Sequence, residues 1–90
     1  MSNYLTATQF AEKITQRINK KINTSKIQQA LLNLGYVRKR GKKYMPTIEK
    51  GSYYCIERKK QFGNIIKSYY LWNVSLMYEI EEVILGEYII

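Results

Sequence analysis

Residues 23–45 read NTSKIQQALLNLGYVRKRGKKYM and join a helical pattern directly to a strand–turn–strand pattern. The apolar residues of the first half recur at helical spacing and stop at a glycine: Ile27, Ala30, Leu31, Leu34 and Gly35. This spacing predicts a helix with one buried face that ends at the glycine. The polar run at residues 23–25 predicts its start, with Ser25 three residues before Gln28 as in a capping box.

A short basic hairpin is predicted immediately after this helix. Residues 36–38 and 43–45 contain the aromatic and β-branched residues typical of strands, and the stretch between them is basic. Gly41 stands at the position where such a hairpin turns. The next stretch, residues 46–51, predicts a turn or a single helical turn with Thr47 as its cap.

An earlier helix is predicted near the start of the chain. Thr6 and Gln9 can form a capping box, so we expect this helix to begin at Ala7. Its apolar stripe consists of Phe10, Ala11, Ile14, Ile18 and Ile22. The stripe fits either one unbroken helix to Ile22 or two shorter helices that break near Thr15.

The rest of the chain predicts a second hairpin and a third helix. Residues 52–57 and 65–72 read as strands joined by a loop at residues 58–64, and Asn73 can cap a final helix. The order is helix, helix, hairpin, hairpin, helix. The predicted fold class is therefore α+β, a winged helix-turn-helix with one or two β-hairpins and a C-terminal helix, in a single domain over residues 1–90.

The composition excludes most catalytic and metal-binding chemistry. The 90 residues include no His, no Asp and one Cys, Cys55. The chain therefore lacks the ligands of a structural zinc site, a Ser-His or Cys-His nucleophile pair, and an internal disulfide. We expect no enzymatic activity, no metal and no cofactor. No apolar run approaches the roughly 20 residues that span a bilayer, and no signal peptide is evident, which predicts a cytoplasmic protein without a membrane partner.

Charge is unevenly distributed along the chain. Fifteen Lys and Arg against seven Glu give a formal net charge of +8. Residues 1–50 carry +9, residues 51–73 carry +3 and residues 74–90 carry −4. A basic excess of this size favours a polyanionic partner, with the acidic tail on the side away from it.

The outer face of the helix before Gly35 fits the readout of double-stranded DNA. Four polar residues lie on this face and a fifth on its flank: Ser25, Lys26, Gln29, Asn33 and Gln28. The second helix of a winged helix-turn-helix enters the major groove, where Gln and Asn pair with adenine, Lys reaches guanine or phosphate, and Ser binds phosphate. An ordinary solvated face is the alternative. Leu32 also points outward and fits either contact with a thymine methyl or packing against a neighbouring element.

The predicted hairpin after this helix would act as the wing. It holds five positive charges within six residues: Arg38, Lys39, Arg40, Lys42 and Lys43. Because wings contact the DNA backbone or minor groove, we expect these side chains to bind phosphates. The alternative is that they solubilise the hairpin and protect an edge strand from pairing.

Tyrosines interleaved with basic residues allow a third interpretation. Six of them lie on or near predicted strands: Tyr36, Tyr44, Tyr53, Tyr54, Tyr69 and Tyr70. They fit either a stacking platform for single-stranded nucleic acid or RNA, or a small core with the hydroxyls at its rim.

Three stretches of the chain resemble the C-terminal domain of phage antirepressors, the KilAC type. They are residues 5–11 (LTATQFA), 27–36 (IQQALLNLGY) and 41–51 (GKKYMPTIEKG), and Trp72 is the counterpart of a Trp near the end of a later strand in that family. The resemblance implies a DNA-binding transcriptional regulator of a phage or mobile element, in the host cytoplasm or nucleoid. An antirepressor or host-takeover inhibitor that binds a host or repressor protein is the alternative.

The tail predicts self-association. Apolar residues occur around much of the helix after Asn73, more than one stripe against a small core would need. A two-fold dimer through Ile80, Ile84 and Tyr88 would match the half-site symmetry common among helix-turn-helix proteins. The alternative is that this helix covers the open face of its own sheet.

Overall fold

Two helices joined by a short turn form one half of the fold. In the computed structural model, which describes residues 3–86, α1 spans Ala7–Ile18 and α2 spans Thr24–Leu34. The Thr6 hydroxyl accepts from the Gln9 amide at 3.1 Å, and the Gln9 side-chain carbonyl accepts from the Thr6 amide at 2.9 Å. The predicted capping box at the start of α1 is therefore confirmed.

Helix α1 ends before its apolar stripe does. Its last residue is Ile18, and Asn19 takes a left-handed conformation with φ of 57°, which ends the helix. Ile22 is buried from the turn, where its amide donates to the Thr15 hydroxyl at 2.8 Å. Both alternatives from the sequence are therefore wrong, because the helix neither reaches Ile22 nor breaks near Thr15.

Helix α2 begins two residues earlier than the capping box at Ser25 would place it. The Asn23 side chain caps the helix by accepting from the Lys26 amide at 3.0 Å, and Ser25 lies exposed in the first turn. At the other end, Gly35 has φ of 85° and the Tyr36 amide donates to the carbonyl of Leu31. The predicted glycine stop is confirmed, because this left-handed conformation suits glycine.

The basic hairpin follows α2 as predicted. Strands β2 (Val37–Arg40) and β3 (Lys43–Pro46) are antiparallel and joined by a two-residue turn. Gly41 takes the first turn position with φ of 62°, as in the II′ turns that connect twisted strands. We refer to this hairpin as the wing.

The second hairpin is longer than the sequence predicts. Strands β4 (Cys55–Phe62) and β5 (Ile65–Asn73) are joined by Gly63 and Asn64 alone, with φ of 59° at Gly63. The loop predicted at residues 58–64 is therefore wrong, because Gly63-Asn64 is itself a two-residue turn and lets pairing continue to it. Every residue from 57 to 69 is exposed, and we call this distal part of the hairpin the arm.

The base of the second hairpin joins the core. A short strand β1 (Tyr4–Leu5) pairs with β5 in a sheet of order β1-β5-β4, with Leu5 opposite Trp72, and β2 and β3 form a separate two-stranded sheet. The largest fully buried side chains come from the helices and the turn before the last helix: Phe10, Ile14, Ile27, Leu31, Leu76, Ile80 and Ile84. The predicted α+β class, with two hairpins and a C-terminal helix, is confirmed.

One buried hydroxyl fixes the segment between the hairpins. Thr47 donates to the Gly35 carbonyl at 2.8 Å and accepts from the Gly51 amide at 2.8 Å, so it caps the turn as predicted. Gly51 opens a short 3-10 helix, Gly51–Tyr53, directly beside the backbone of Tyr36. A Cβ atom on Gly51 would lie 1.8 Å from the Tyr36 carbonyl oxygen, which excludes any larger residue without rearrangement.

The C-terminal helix is part of the core. A 3-10 turn (Val74–Leu76), capped by Asn73, leads into α3 (Met77–Gly86), whose main partners are α2 and α1 rather than the sheet. Ile80 and Ile84 are 0% and 1% exposed. The prediction that Ile80 and Ile84 form a dimer interface is therefore wrong, because the chain's own core covers them. Tyr88, the third residue of that prediction, lies outside the described residues.

Two polar contacts connect α3 to the rest of the fold. The Tyr36 hydroxyl donates to the Glu79 carboxylate at 2.6 Å, and the Arg17 guanidinium donates to the Glu81 carboxylate at 2.9 Å. Two of the acidic tail residues thus bind within the fold. Over residues 3–86, no helix combines the length and the apolar character that crossing a membrane requires.

Candidate nucleic-acid interface

The outer face of α2 presents polar side chains to solvent. Ser25, Gln29 and Asn33 are exposed and Lys26 is half-buried. At 3.6 residues per turn all four lie on the side of the helix opposite the buried Ile27. Four of the five residues predicted to read DNA from this helix therefore share one accessible face.

Gln28 does not belong to that face. Its side chain is half-buried, and its carbonyl oxygen is closed off from solvent with no hydrogen-bond partner among the described residues. Pairing with a base edge requires an accessible amide. The structure therefore corrects the prediction for Gln28, which lines a cleft beside α2 instead.

Leu32 is accessible on the same side of α2. Its side chain is 40% exposed, so the neighbouring elements do not cover it as the packing alternative requires. A partly exposed leucine beside Ser25 and Gln29 adds an apolar contact to an otherwise polar face. Its contact with a thymine methyl stays a prediction.

The wing displays all five of its predicted cations. Arg38, Lys39, Arg40, Lys42 and Lys43 are exposed, and over residues 3–86 none of them pairs with a carboxylate. Lys50 differs from them, because its ammonium donates to the Leu34 carbonyl at 2.7 Å and so satisfies the C-terminus of α2. The wing cations have no such structural role.

The strand register makes the wing electrostatically unfavourable on its own. Arg40 lies directly opposite Lys43 beside the turn, and like charges at such positions destabilise a hairpin, at a cost of up to about 1 kcal/mol. The next pair along the hairpin is favourable instead, because the Lys39 ammonium lies 5.5 Å from the centre of the ring of Tyr44, its partner on the other strand. A bound polyanion would remove the remaining repulsion.

A cleft of about 770 Å³ lies between α2, the wing and the arm. Thr24 and Gln28 of α2 form one side, Lys43 and Tyr44 of β3 form another, and residues 66–70 of β5 form a third. The α2 side of this cleft adjoins the exposed face that carries Ser25 and Leu32. The cleft therefore brings the three elements together on one side of the molecule.

The six tyrosines do not form one stacking platform. Tyr36 is buried and makes edge-to-face contacts with Tyr54 at 5.3 Å and with Trp72 at 6.4 Å between ring centres. Burial raises the pKa of Tyr36, and the hydrogen bond to Glu79 raises it further. The remaining tyrosines range from half-buried Tyr44 and Tyr70 to Tyr53, which is 78% exposed.

Cys55 is a packing residue at the base of β4. It is half-buried against the core, and burial raises the pKa of its thiol, with a smaller contribution from Glu57. A thiol held in its protonated form is a poor nucleophile.

The arm supplies basic residues that the sequence analysis did not assign to the interface. They are Arg58, Lys59, Lys60 and Lys67, all exposed. With residues 58–64 predicted as a loop, the alternation of these cations between the two faces of a strand pair was not expected. The Gly63-Asn64 pair between Phe62 and Ile65 was the signal that could have shown it, since Gly followed by a polar residue predicts a two-residue hairpin turn.

Comparison of the chain with protein-family models, with curated proteins and with solved structures finds no match. The similarity to phage antirepressor domains therefore stays a prediction, and the residues themselves carry the functional argument.

Proposed function

We propose that this protein binds double-stranded DNA, with α2 in the major groove and the wing on the phosphate backbone. The observation that carries the proposal is the wing, in which five exposed cations without carboxylate partners follow directly after an accessible polar helix face. This is the arrangement in which a winged helix-turn-helix meets a duplex.

Protection of an edge strand does not account for the wing equally well. One or two lysines are enough to prevent edge pairing, and they need not face each other. Here Arg40 and Lys43 are directly opposed, which works against the stability of the hairpin. A feature that costs stability and attracts polyanions supports a binding role.

The resemblance to antirepressor domains supports a narrower role. On that basis the protein regulates transcription in a phage or mobile element and acts in the host cytoplasm or nucleoid. No enzymatic activity is part of the proposal. A homodimer would suit a two-fold operator, but the interface would have to avoid Ile80 and Ile84, which are buried.

A competition experiment tests the proposal. The full chain is bound to a labelled duplex and challenged with unlabelled duplex, single-stranded DNA of the same sequence, and RNA. We expect duplex to compete best, because the major groove of a duplex admits an α-helix and single strands offer no such groove. Preference for single strands would favour the stacking interpretation, and absence of binding would favour a protein partner such as a host or repressor protein.

Genomic footprinting of a tagged copy would then locate the target. Binding concentrated at a few promoter or origin regions would support a regulatory role. Even coverage of the genome would indicate a DNA-binding protein without sequence preference.

A further inference from the structure

The arm extends beyond the core and is exposed on both faces. Five residue steps separate Glu57 from Phe62, which at the rise of a β-strand amounts to about 17 Å. The molecule measures 45 Å along its longest axis and 26 Å and 25 Å along the others. The residues of the arm do not contribute to the core, so packing within the fold does not explain why basic and apolar residues occur there.

The strand register divides the arm into two faces with different charge. Residues directly opposite each other in an antiparallel pair share a face, and successive pairs alternate. One face carries the pairs Arg58–Tyr69, Lys60–Lys67 and Phe62–Ile65. The other carries the pairs Glu57–Tyr70, Lys59–Ser68 and Gln61–Ile66. We call the first the cationic face, because it holds three of the four arm cations and no carboxylate.

Contacts within the arm agree with this division. The Lys60 ammonium lies 5.3 Å from the centre of the Phe62 ring, as expected for residues two apart on one face. Lys60 and Lys67 stand directly opposite each other, so the arm repeats the opposed cations of the wing. The cleft beside α2 is lined by residues of both faces of β5, among them Lys67 of the cationic face and Ser68 of the other.

The tip of the arm is apolar. Phe62 is 52% exposed and Ile65, its partner across the turn, is 60% exposed. Strand ends that serve only to prevent aggregation carry charges or Pro rather than large apolar residues. Cations along one face with an aromatic and an aliphatic residue at the end are the side chains with which architectural proteins hold phosphates and wedge between base steps.

We propose that the arm is a second DNA contact, in which the cationic face binds backbone phosphates and Phe62 and Ile65 enter the minor groove and bend the duplex. This inference rests on the proposed function. It adds a bending activity to it and assigns that activity to residues outside the helix-turn-helix and wing.

The charge half of the proposal is tested on the full chain with a short random-sequence duplex. The double variant Lys60→Ala, Lys67→Ala should reduce the slope of log K against log salt by about two, since each phosphate contact contributes about 0.9. Lys59→Ala is the matched control, because Lys59 is the neighbouring residue on the opposite face. It should leave the slope unchanged, whereas loss of one phosphate contact would reduce it by about 0.9.

The apolar half is tested by energy transfer between dyes at the two ends of the same duplex. The full chain should raise the transfer efficiency, because wedge residues bend DNA by about 20–90°. Phe62→Ala with Ile65→Ala should abolish this rise and leave the salt slope unchanged. Ile66→Ala is the matched control, since Ile66 is 65% exposed on the opposite face, and it should bend DNA as the unmodified chain does.

The outcomes separate this proposal from the one on which it rests. If the arm variants leave slope and transfer unchanged while Arg40→Ala with Lys42→Ala lowers the slope, the arm proposal is overturned and DNA binding through the wing stands. If the full chain binds no duplex, both proposals fail. If the Phe62 and Ile65 variant instead converts a dimer to a monomer in sedimentation, with bending unaffected, the arm is a self-association element and the proposal is overturned.

Discussion

Arg40 and Lys43 lie directly opposite each other beside the turn of the wing, with no carboxylate bound to either of them within residues 3–86. Each therefore repels the other in the free protein. Stability favours opposite charges at this pair of positions, whereas the proposed DNA binding favours two positive charges, and a charge reversal can separate the two effects.

The substitution Lys43→Glu should stabilise the fold and weaken DNA binding. A glutamate opposite Arg40 replaces repulsion by attraction, which should raise the free energy of unfolding by a few tenths of a kcal/mol at low salt. The same change should lower duplex affinity and the salt slope by about one or more. Urea unfolding and anisotropy titrations measure the two effects. Lys13→Glu, at an exposed position on α1, is the control, and equal losses of affinity in both variants would contradict a specific role for the wing.

Gln29 and Asn33 should contribute to sequence preference rather than to general affinity. Gln29→Ala or Asn33→Ala should cost about 1–3 kcal/mol on the preferred site and much less on random DNA, because a lost base contact reduces discrimination. Binding to both DNAs is compared in one salt. Gln16→Ala, at an exposed position on α1, should leave both affinities unchanged. Equal losses on the two DNAs would count against base readout by α2.

Gly51→Ala should strongly destabilise the fold. The new Cβ would meet the Tyr36 carbonyl oxygen at 1.8 Å, and backbone on both sides leaves little room to relax. We expect a loss of about 1–3 kcal/mol or more in the free energy of unfolding. Gly86→Ala is the control, because nothing lies within 4 Å of its Cβ position. An unfolding midpoint for Gly51→Ala equal to that of the control would show that the segment packs differently.

Tyr36 should make stability fall at high pH. Burial and the Glu79 hydrogen bond raise the pKa of Tyr36 in the folded state, so the unfolded state releases the phenol proton first. The contribution of Tyr36 to the free energy of unfolding is therefore complete below the ordinary tyrosine pKa of about 10 and is lost as the pH rises above that value. Tyr36→Phe should lose less stability between about pH 9 and pH 11 than the unmodified chain does. Tyr53→Phe, at an exposed residue, should follow the unmodified chain, and identical pH curves for both variants would contradict the assignment.

Local signals predict the helices and the wing well. The Thr6 and Gln9 capping box, the Gly35 stop and the Gly41 turn each act through backbone hydrogen bonds or a φ value within a few residues. The exposed wing cations follow from the same local pattern. These features need no information about distant parts of the chain.

Features that depend on tertiary packing could not be predicted. The apolar stripe includes Ile22, but the burial of Ile22 comes from a turn held by Thr15 rather than from a helix. In the sequence, the apolar side chains of Ile80 and Ile84 fit a dimer interface as well as a core, and only the packing of α3 against α1 and α2 shows that they lie in the core. Gln28 lies at the border between the exposed face and the cleft, and only the neighbouring hairpins decide which side it takes.

The salt dependence of duplex binding tests the central claim most directly. The full chain is titrated onto a random-sequence duplex between about 50 and 200 mM salt, and log K is plotted against log salt. If the five wing cations bind phosphates, the slope should be negative with a magnitude of at least about 4.5, at about 0.9 per contact, and Arg40→Ala with Lys42→Ala should reduce that magnitude by about two. A slope near zero, or a slope that the double substitution leaves unchanged, would contradict DNA binding through the wing.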